Sequence, residues 1–339
     1  MKLQLTQFDA KAEAALLQTC FDIMMAGHPI DNPDEPPESL ESFTGSWAHG
    51  IDGAPRETWL GYAADGEPVC CALVILPDRE NTTTARCFPF VLPARRREGF
   101  GTALLEHCTD RARLAGRTRM SSYARDGSPG AAFAAARGAR GGIDMVMRAM
   151  DVDASLPGRL VSLRAAALPY ADGYDLVSWV GVTPEKDLEQ VARLHAVLAD
   201  APQDDGVEPV RWDADRVRHM DQVLIQEGLQ TYTVAARDAT TGEFAALTQM
   251  ETDPALPEWG FQELTAVVPA HRGHRLGLLV KVAMLDLLAE HEPAIRHIYT
   301  GNAGLNAHMI AINEQLGYYV SSVHRAWELD LAGGESLTG

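Results

Sequence analysis

The sequence predicts a mixed α/β protein made of two copies of one domain, each with a mostly antiparallel, twisted sheet flanked by helices. Two observations support this prediction. Short apolar and β-branched runs bounded by turn residues alternate with longer runs of helical spacing. One strand–turn–helix stretch also occurs twice, over residues 90–105 and again over residues 265–288. The length of 339 residues accommodates two domains with their own cores.

The two stretches align with a constant offset. Arg96 falls on Arg272, 176 residues later, and the last glycine of the turn recurs at the same offset. Self-similarity at so long a period indicates a duplicated domain rather than an array of short repeats. We therefore expect tandem domains over residues 1–153 and 154–339.

The first copy shows the pattern of helices and strands in order. Apolar residues at helical spacing predict helices over 10–25 and 102–115, whereas the Gly- and Ala-rich segment 127–142 is expected to form a helix poorly. Asp65 and Gly66 between two apolar runs predict a β-hairpin. Strands are expected at 1–8, 58–64, 69–76, 85–92, 117–122 and 143–151.

The second copy begins after a predicted linker over residues 151–158. Leucines and valines at helical spacing follow the repeated turn and predict a helix that extends to Leu288. A shorter helix over 306–316 is expected to end at Gly317, and the tail 332–339 is expected to fray. Further helices are expected at 185–198 and 213–227, and strands at 175–182, 231–237, 244–251, 261–268, 295–300 and 318–330.

Composition narrows the class of function. The net charge of −18 disfavours nucleic acid as the main partner, because phosphate contacts need Lys and Arg. It suits a cationic substrate, although an acidic surface also serves solubility alone. No apolar run is long enough to span a membrane and no signal-peptide pattern is present, so we expect a cytoplasmic protein without a membrane partner. The five cysteines form no CxxC pair and the histidines no HExxH motif, so we expect no metal.

The repeated turn is basic and contains glycine in an otherwise acidic protein. The first amides of a helix lack partners and lie at the positive end of its dipole, and glycine lets a ligand approach the backbone. This combination predicts a pyrophosphate site, and the alternative is a plain connection with a solvated basic face. In the second copy the predicted cradle consists of Arg272, Gly273, His274, Arg275, Leu276 and Gly277.

These residues resemble the GNAT superfamily of acyl-CoA acyltransferases, whose signature between a strand and a helix is R-x-x-G-x-G/A. The first copy matches it with Arg96, Gly99 and Gly101. The second copy has Arg275 in place of the middle glycine, and we expect its backbone path to form if Arg275 has a negative φ. The tandem arrangement is similar to the mycothiol synthase-like group.

The resemblance implies acetyl-CoA, or another acyl-CoA, as the co-substrate. The backbones of Val267 and Val268 would pair with the pantetheine arm like an added strand. Asn302 and Asn306 would contact the cofactor, and Asn306 is alternatively a helix N-cap. The equivalent cofactor contacts in the first copy would be Val91, Arg96, Gly99 and Gly101.

Acyl transfer to an amine needs a base, a stabilised oxyanion and a leaving thiolate. Glu263 is the candidate base, because a period of two places it on one strand face with Thr265; the alternative is a partly exposed strand carboxylate. Asn313 occupies the position of the family's tyrosine acid in an N-x₆-Y-x₃-G-F run, and it donates a hydrogen bond but no proton. Tyr318 and His308 are alternatives nearby in sequence.

The leading prediction is an acetyl-CoA-dependent N-acetyltransferase acting on a primary amine of a small molecule. The second copy is expected to perform the chemistry, because the first has Cys87 in place of the base and Ala134 in place of Asn313. The alternatives are a non-catalytic acyl-CoA sensor or scaffold, an enzyme using a longer acyl-CoA, and a GNAT-like enzyme using aminoacyl-tRNA, which the acidic charge disfavours. Because duplication can replace a homodimer, we expect a monomer or a homodimer.

Overall fold

The structure, a computed structural model, describes residues 2–197, 206–303 and 307–332. Strands and helices alternate throughout, and the predicted mixed α/β class is confirmed. The helices are α1 (Ala14–Asp31), α2 (Leu40–Ala48), α3 (Phe100–Leu114), α4 (Pro129–Ala136), α5 (Leu156–Ala167), α6 (Leu188–Ala196), α7 (Ala214–Gln226), α8 (Leu276–His291) and α9 (Ala307–Leu316). The strands are β1 (Gln4–Phe8), β2 (Arg56–Tyr62), β3 (Pro68–Ile75), β4 (Thr84–Val91), β5 (Arg119–Arg125), β6 (Arg140–Asp151), β7 (Tyr174–Val180), β8 (Gln230–Asp238), β9 (Phe244–Thr252), β10 (Trp259–Val267), β11 (His297–Ala303) and β12 (Tyr319–Asp330).

The chain divides into two compact units. Unit 1 comprises residues 1–145, 204–208 and 322–339, and unit 2 comprises residues 146–203 and 209–321. The predicted division between residues 153 and 154 follows the sequence repeat. In the compact units, by contrast, the second half of β6, the last strand of the first copy, belongs to unit 2, and most of β12, the last strand of the second copy, belongs to unit 1. This exchange could not be read from a linker, because it depends on backbone pairing with a distant segment.

Unit 1 has the strand order β1-β2-β3-β4-β5-β12. Strands β4 and β5 are parallel, whereas β12 pairs antiparallel with β5, from His324 opposite Arg125 to Asp330 opposite Arg119. The final strand of the chain therefore completes the sheet of unit 1. Leu331, just beyond it, is buried in the core of that unit.

Unit 2 has the strand order β6-β11-β10-β9-β8-β7. Helix α8 packs on one face of the sheet together with Met250 of β9, while Leu247 of the same strand packs with α6 and α7. Because side chains three residues apart on a strand point to opposite faces, α8 and the α6–α7 pair cover opposite faces of the sheet.

Two predicted segments differ from the structure. The segment expected to form a helix poorly contains α4, because Ser128 Oγ accepts a hydrogen bond from Ala131 N at 3.2 Å and Pro129 occupies the first turn. Helix α5 begins within the predicted linker and continues beyond it. Among the described helices, none combines the length and the apolar character needed to cross a bilayer.

Candidate functional site

The parallel pairing of β10 with β11 stops partway along both strands. The registered pairs run from Trp259 opposite His297 to Gln262 opposite Thr300, although β10 continues to Val267. We call the space between residues 263–267 of β10 and 301–303 of β11 the β10–β11 gap. It is the place where the predicted acyl-CoA arm would enter the sheet.

A bulge in β10 lies where the two strands part. The register of β10 on β9 shifts between Gln262 and Thr265. The buried Gln262 side chain donates from Nε2 to the Gln249 carbonyl at 2.7 Å, and Thr300 Oγ1 donates to the Gln262 carbonyl at 2.8 Å. The bulge interrupts the alternation from which the strand face of Glu263 was predicted. The side of the sheet on which Glu263 lies must therefore be read from the residues that interact with it.

Three carboxylates of unit 2 interact on the α6–α7 side of the sheet. Glu263 lies in the bulge, Glu251 on β9 and Glu227 at the end of α7. Desolvation, followed by the negative charges of Glu263 and Glu227, raises the pKa of Glu251 well above its usual value. Desolvation also raises the pKa of Glu263, although solvent still reaches its side chain. A carboxylate with a raised pKa is a stronger base than an ordinary surface carboxylate.

The turn after β10 has the same backbone path as the turn after β4. Residues at equivalent positions have positive φ values, 67° at Arg97 and 89° at Gly99 in unit 1, and 90° at Gly273 and 53° at Arg275 in unit 2. Each turn leads directly into a long helix, α3 or α8. A Cβ built on Gly273 would meet no described atom within 4 Å, so the outer side of this turn is open to a ligand.

The turn forms although Arg275 does not have the negative φ on which the expectation for this turn depended. Its φ of 53° and ψ of 20° lie in the left-handed region, because the turn needs this conformation at the position held by Gly99 in the first copy. A non-glycine residue there costs about 1–2 kcal/mol. The guanidinium carbon lies 4.3 Å from the centre of the Tyr170 ring, and Nη1 donates to the Ala166 carbonyl at 3.2 Å. These contacts offset part of that cost.

Two histidines also attach the turn to the first residue of β7 and to the segment that precedes it. Nδ1 of His271 lies 2.8 Å from the Tyr174 hydroxyl, and Nδ1 of His274 lies 2.9 Å from the Tyr170 carbonyl. The sequence repeat could not reveal these partners, since unit 1 has Arg95 and Glu98 at the two histidine positions. These contacts fix the position of the turn, whose backbone amides lie at the start of α8.

The last residues of β10 differ in their availability. Val268 N donates to the Ala245 carbonyl at 2.9 Å, and the Val268 carbonyl accepts from His271 N at 2.9 Å. The Val268 N–H is therefore used by β9, so the predicted pairing of Val268 with the cofactor arm lacks its donor. Alternation turns the backbone groups of Val267 toward the gap, where its carbonyl accepts from Arg272 Nε at 3.4 Å.

Both arginines in the turn of unit 1 are paired with carboxylates. Arg96 Nε donates to the Val91 carbonyl at 3.1 Å, and its two other nitrogens bind Asp31 at 2.9 and 2.6 Å. Arg95 pairs with Glu98 at 3.1 Å and also with Glu67. Because neighbouring carboxylates neutralise both arginines, this turn attracts an anion less strongly than its sequence suggests.

A chain of polar side chains connects the gap to a buried cation. Asn302 of β11 borders the gap and accepts a hydrogen bond from Asn313 Nδ2 at 2.8 Å. Asn313 is fully buried, and its Oδ1 accepts from Lys281 Nζ at 2.9 Å. Burial lowers the pKa of Lys281 to about 7. Lys281 was not among the predicted site residues, because its signal in the sequence is a single lysine within the apolar run of α8, where the first copy has Leu105.

The remaining predicted site residues have mixed outcomes. Tyr318 is buried, burial raises its pKa, and its ring lies 5.3 Å from Lys281 Nζ, so it lies beneath the polar chain. His308 is exposed on α9. Asn306 lies outside the described residues. Leu276 and Gly277 are buried at the start of α8, where Gly277 allows close packing on Val267.

Unit 1 has a small cavity at the equivalent strand divergence. Its volume is about 130 Å³, and its lining includes Cys87, Leu105, Phe133, Ala134 and Trp327. The described lining contains no carboxylate. Gly101 at the start of α3 lies beside Phe133. Over the described part of both units, no cluster of His, Cys, Asp and Glu side chains is suited to a metal ion.

Comparisons with known proteins agree with this geometry. The acetyltransferase (GNAT) family profile matches residues 17–138. A solved tandem GNAT protein from the clavulanic acid biosynthesis pathway is 26% identical, with a TM-score of 0.82 over 98% of this chain and 100% of its own. A GCN5-related N-acetyltransferase from Sphaerobacter thermophilus has the same fold at 16% identity, with a TM-score of 0.68 over 98% of this chain and 97% of its own.

Another structural match is the glucosamine N-acetyltransferase region of a fungal multi-domain β-N-acetylglucosaminidase. It is 13% identical, with a TM-score of 0.63 over 97% of this chain and 38% of that protein, and it supports the fold alone. Curated protein sequences give no significant match. The family profile on the first copy and the whole-chain structural match together extend the resemblance to both copies. Residues 17–138 therefore match the GNAT acetyltransferase family, the whole chain has the fold of a tandem two-domain GNAT protein, and both similarities support an acyltransferase.

Proposed function

We propose that the protein is an acetyl-CoA-dependent N-acetyltransferase that acts on a primary amine of a small molecule, with the chemistry in unit 2. The observation that carries this proposal is the arrangement around the β10–β11 gap. Glu263 lies at one side of the gap, Asn302 borders it, and the basic turn begins where β10 ends. Unit 1 has Cys87 in place of the carboxylate.

The residues of unit 2 fit the chemistry of an acyl-CoA. The amides at the start of α8, with Arg272 and Arg275, would bind the pyrophosphate, because both the helix dipole and the side chains favour negative charge. The backbone groups of Val267 would pair with the amides of the pantetheine arm. Bound in this way, acetyl-CoA supplies an activated acyl group next to the carboxylates.

Glu263 would act as the general base. An amine reaches the site mostly as an ammonium ion, and the net charge of −18 of the protein favours its approach. Glu263 then takes a proton, and the free amine attacks the thioester carbonyl. The new C–N bond forms and the nitrogen loses its second proton to solvent, while the C–S bond breaks and its electron pair leaves with sulfur as the coenzyme A thiolate. A carboxylate of raised pKa suits this role because it holds the proton more strongly.

The pH dependence of the reaction should report the desolvation of Glu263. Because Glu263 must be ionised, kcat/KM should rise with pH through its raised pKa, and so above the usual range of a carboxyl group. Desolvation raises this pKa, whereas the charge of Glu263 raises the pKa of Glu251, so Glu263 ionises first and Glu251→Gln should leave the acidic limb in place. Steady-state rates of both proteins measured from pH 4 to pH 8 would locate the limb. A limb in the usual range of a carboxyl group, or one that moves in Glu251→Gln, would contradict this order of ionisation.

Binding of coenzyme A tests which unit holds the cofactor. Arg272→Ala should weaken coenzyme A binding by about 10- to 100-fold, which corresponds to the loss of a charge-assisted hydrogen bond of about 1.5–3 kcal/mol. The matched variant Arg96→Ala should leave the affinity unchanged, because Asp31 already neutralises Arg96. Isothermal titration calorimetry measures both, and native mass spectrometry should count one bound molecule per chain.

Thiol release from acetyl-CoA with a panel of small amines tests the activity itself. The proposal expects release above the hydrolysis background with at least one class of amine. If coenzyme A binds tightly and no amine gives release, the protein is an acyl-CoA sensor, and the enzymatic proposal is overturned. If the affinity falls with Arg96→Ala and stays with Arg272→Ala, the assignment of the chemistry to unit 2 is overturned.

A further inference from the structure

We propose that Lys281, Asn313 and Asn302 form an oriented hydrogen-bond chain that presents an amide N–H to the coenzyme A thiolate as it leaves. Lys281 is the positioning residue of this chain. The inference rests on the proposed function, because it assigns a group to the thioester end of the same site. It also gives Asn313 a role that needs no proton transfer.

The donor at one end fixes the direction of the whole chain. A lysine amine bound at 2.9 Å donates, so the atom of Asn313 that faces it must be Oδ1. The Asn313 amide nitrogen then faces Asn302 at 2.8 Å, and Asn302 must accept through its Oδ1. The amide nitrogen of Asn302 is consequently directed away from Asn313 and is left to donate to a ligand. Hydrogen bonds in such a chain polarise one another.

The position of Asn302 places this donor at the gap. Thr300 is the last residue of β11 that pairs with β10, and Asn302 follows it by two residues. Asn302 is half-buried, whereas Asn313 and Lys281 behind it are buried. The polar chain comes from the α8 and α9 side, whereas Glu263 interacts with carboxylates on the α6–α7 side. A thioester in the gap would therefore meet the base and the donor from opposite faces.

The cost of burying Lys281 indicates a role other than stability. Only 3% of the residue is exposed, and none of the described carboxylates pairs with it. Its surroundings are the neutral Asn313 amide and the Tyr318 ring. An uncompensated buried cation destabilises a fold by several kcal/mol, and the first copy packs Leu105 at this position. The fold therefore accepts an apolar side chain at this position and does not need the charge.

The chain would act only on charge that develops during the reaction. As the C–S bond breaks, its electron pair passes to sulfur, and the Asn302 N–H would donate to that sulfur. No proton moves along the chain, and the released thiolate takes a proton from solvent. The interaction strengthens as negative charge forms, so it should raise kcat without changing acetyl-CoA binding.

The substitution Lys281→Met separates this role from a structural one. Met has nearly the same length and no charge, so the melting temperature should rise, since the burial cost is removed. In contrast, kcat for thiol release should fall about 10-fold or more, with the KM for acetyl-CoA unchanged. A residue that only supports the fold would change stability and activity in the same direction.

A second variant tests the chain if Met disturbs the packing. Asn313→Asp leaves a carboxylate to pair with Lys281 but removes the N–H that Asn302 accepts, so it should lower kcat by a similar factor. Wild-type kcat in either variant, with folding verified by circular dichroism, would overturn the inference. If the wild-type protein also fails to release thiol with any amine, the proposed function fails, and the inference fails with it.

Discussion

The substitution Glu263→Gln is expected to reduce kcat for amine acetylation by about 10²- to 10⁴-fold, the usual contribution of a positioned general base. Glutamine has the size of glutamate but does not accept a proton at neutral pH. The ammonium form of the acceptor would then have to lose its proton to solvent before attack. Coenzyme A affinity should stay the same, because the turn that we propose to bind the pyrophosphate begins several residues beyond Glu263.

Thiol release under saturating acetyl-CoA, together with calorimetric binding of coenzyme A, measures both quantities for Glu263→Gln. Glu290→Gln is the matched control, because this glutamate is exposed on α8 in the same unit. The control should retain wild-type kcat. A Glu263→Gln protein with wild-type kcat would show that another group, or solvent alone, accepts the proton.

Local sequence patterns predicted the central part of the site. The strand before Pro269, the turn and helix α8 follow from apolar spacing and from the residues of the turn, which depend on near neighbours. The duplication placed the same turn at both positions. The family resemblance predicted an acyl-CoA, and the gap that opens after Gln262 is the place where we propose that it binds.

Features that depend on distant contacts could not be predicted in this way. Lys281 appears in the sequence as one charge within an apolar run, and only packing shows its bond to Asn313. The left-handed Arg275 is held by Tyr170, a residue more than one hundred positions earlier. Similarly, the β10 bulge changes the surroundings of Glu263 in a way that a strict period of two cannot express.

The partner of β12 is another such feature, and it leads to a large expected effect on stability. A chain that ends at Ser321 should lose the fold of unit 1, because residues 324–330 pair with β5 in that unit. The cut also removes Leu331, which is buried in the core, and Glu328, which pairs with Arg119 at 3.3 Å. The lost hydrogen bonds and apolar burial are comparable with the whole stability of a domain, about 5–15 kcal/mol.

Limited proteolysis with mass spectrometry would locate the damage. In the chain that ends at Ser321, early cleavage should fall within residues 1–145, and the exposed edge of β5 should promote aggregation. A chain that ends at Ala332 is the matched control, because it keeps β12 and Leu331, and it should resist cleavage like the full chain. Removal of a terminal strand that belonged to unit 2 would instead leave residues 1–145 protected. The site of first cleavage therefore tells which copy depends on the last strand, independently of any measurement of activity.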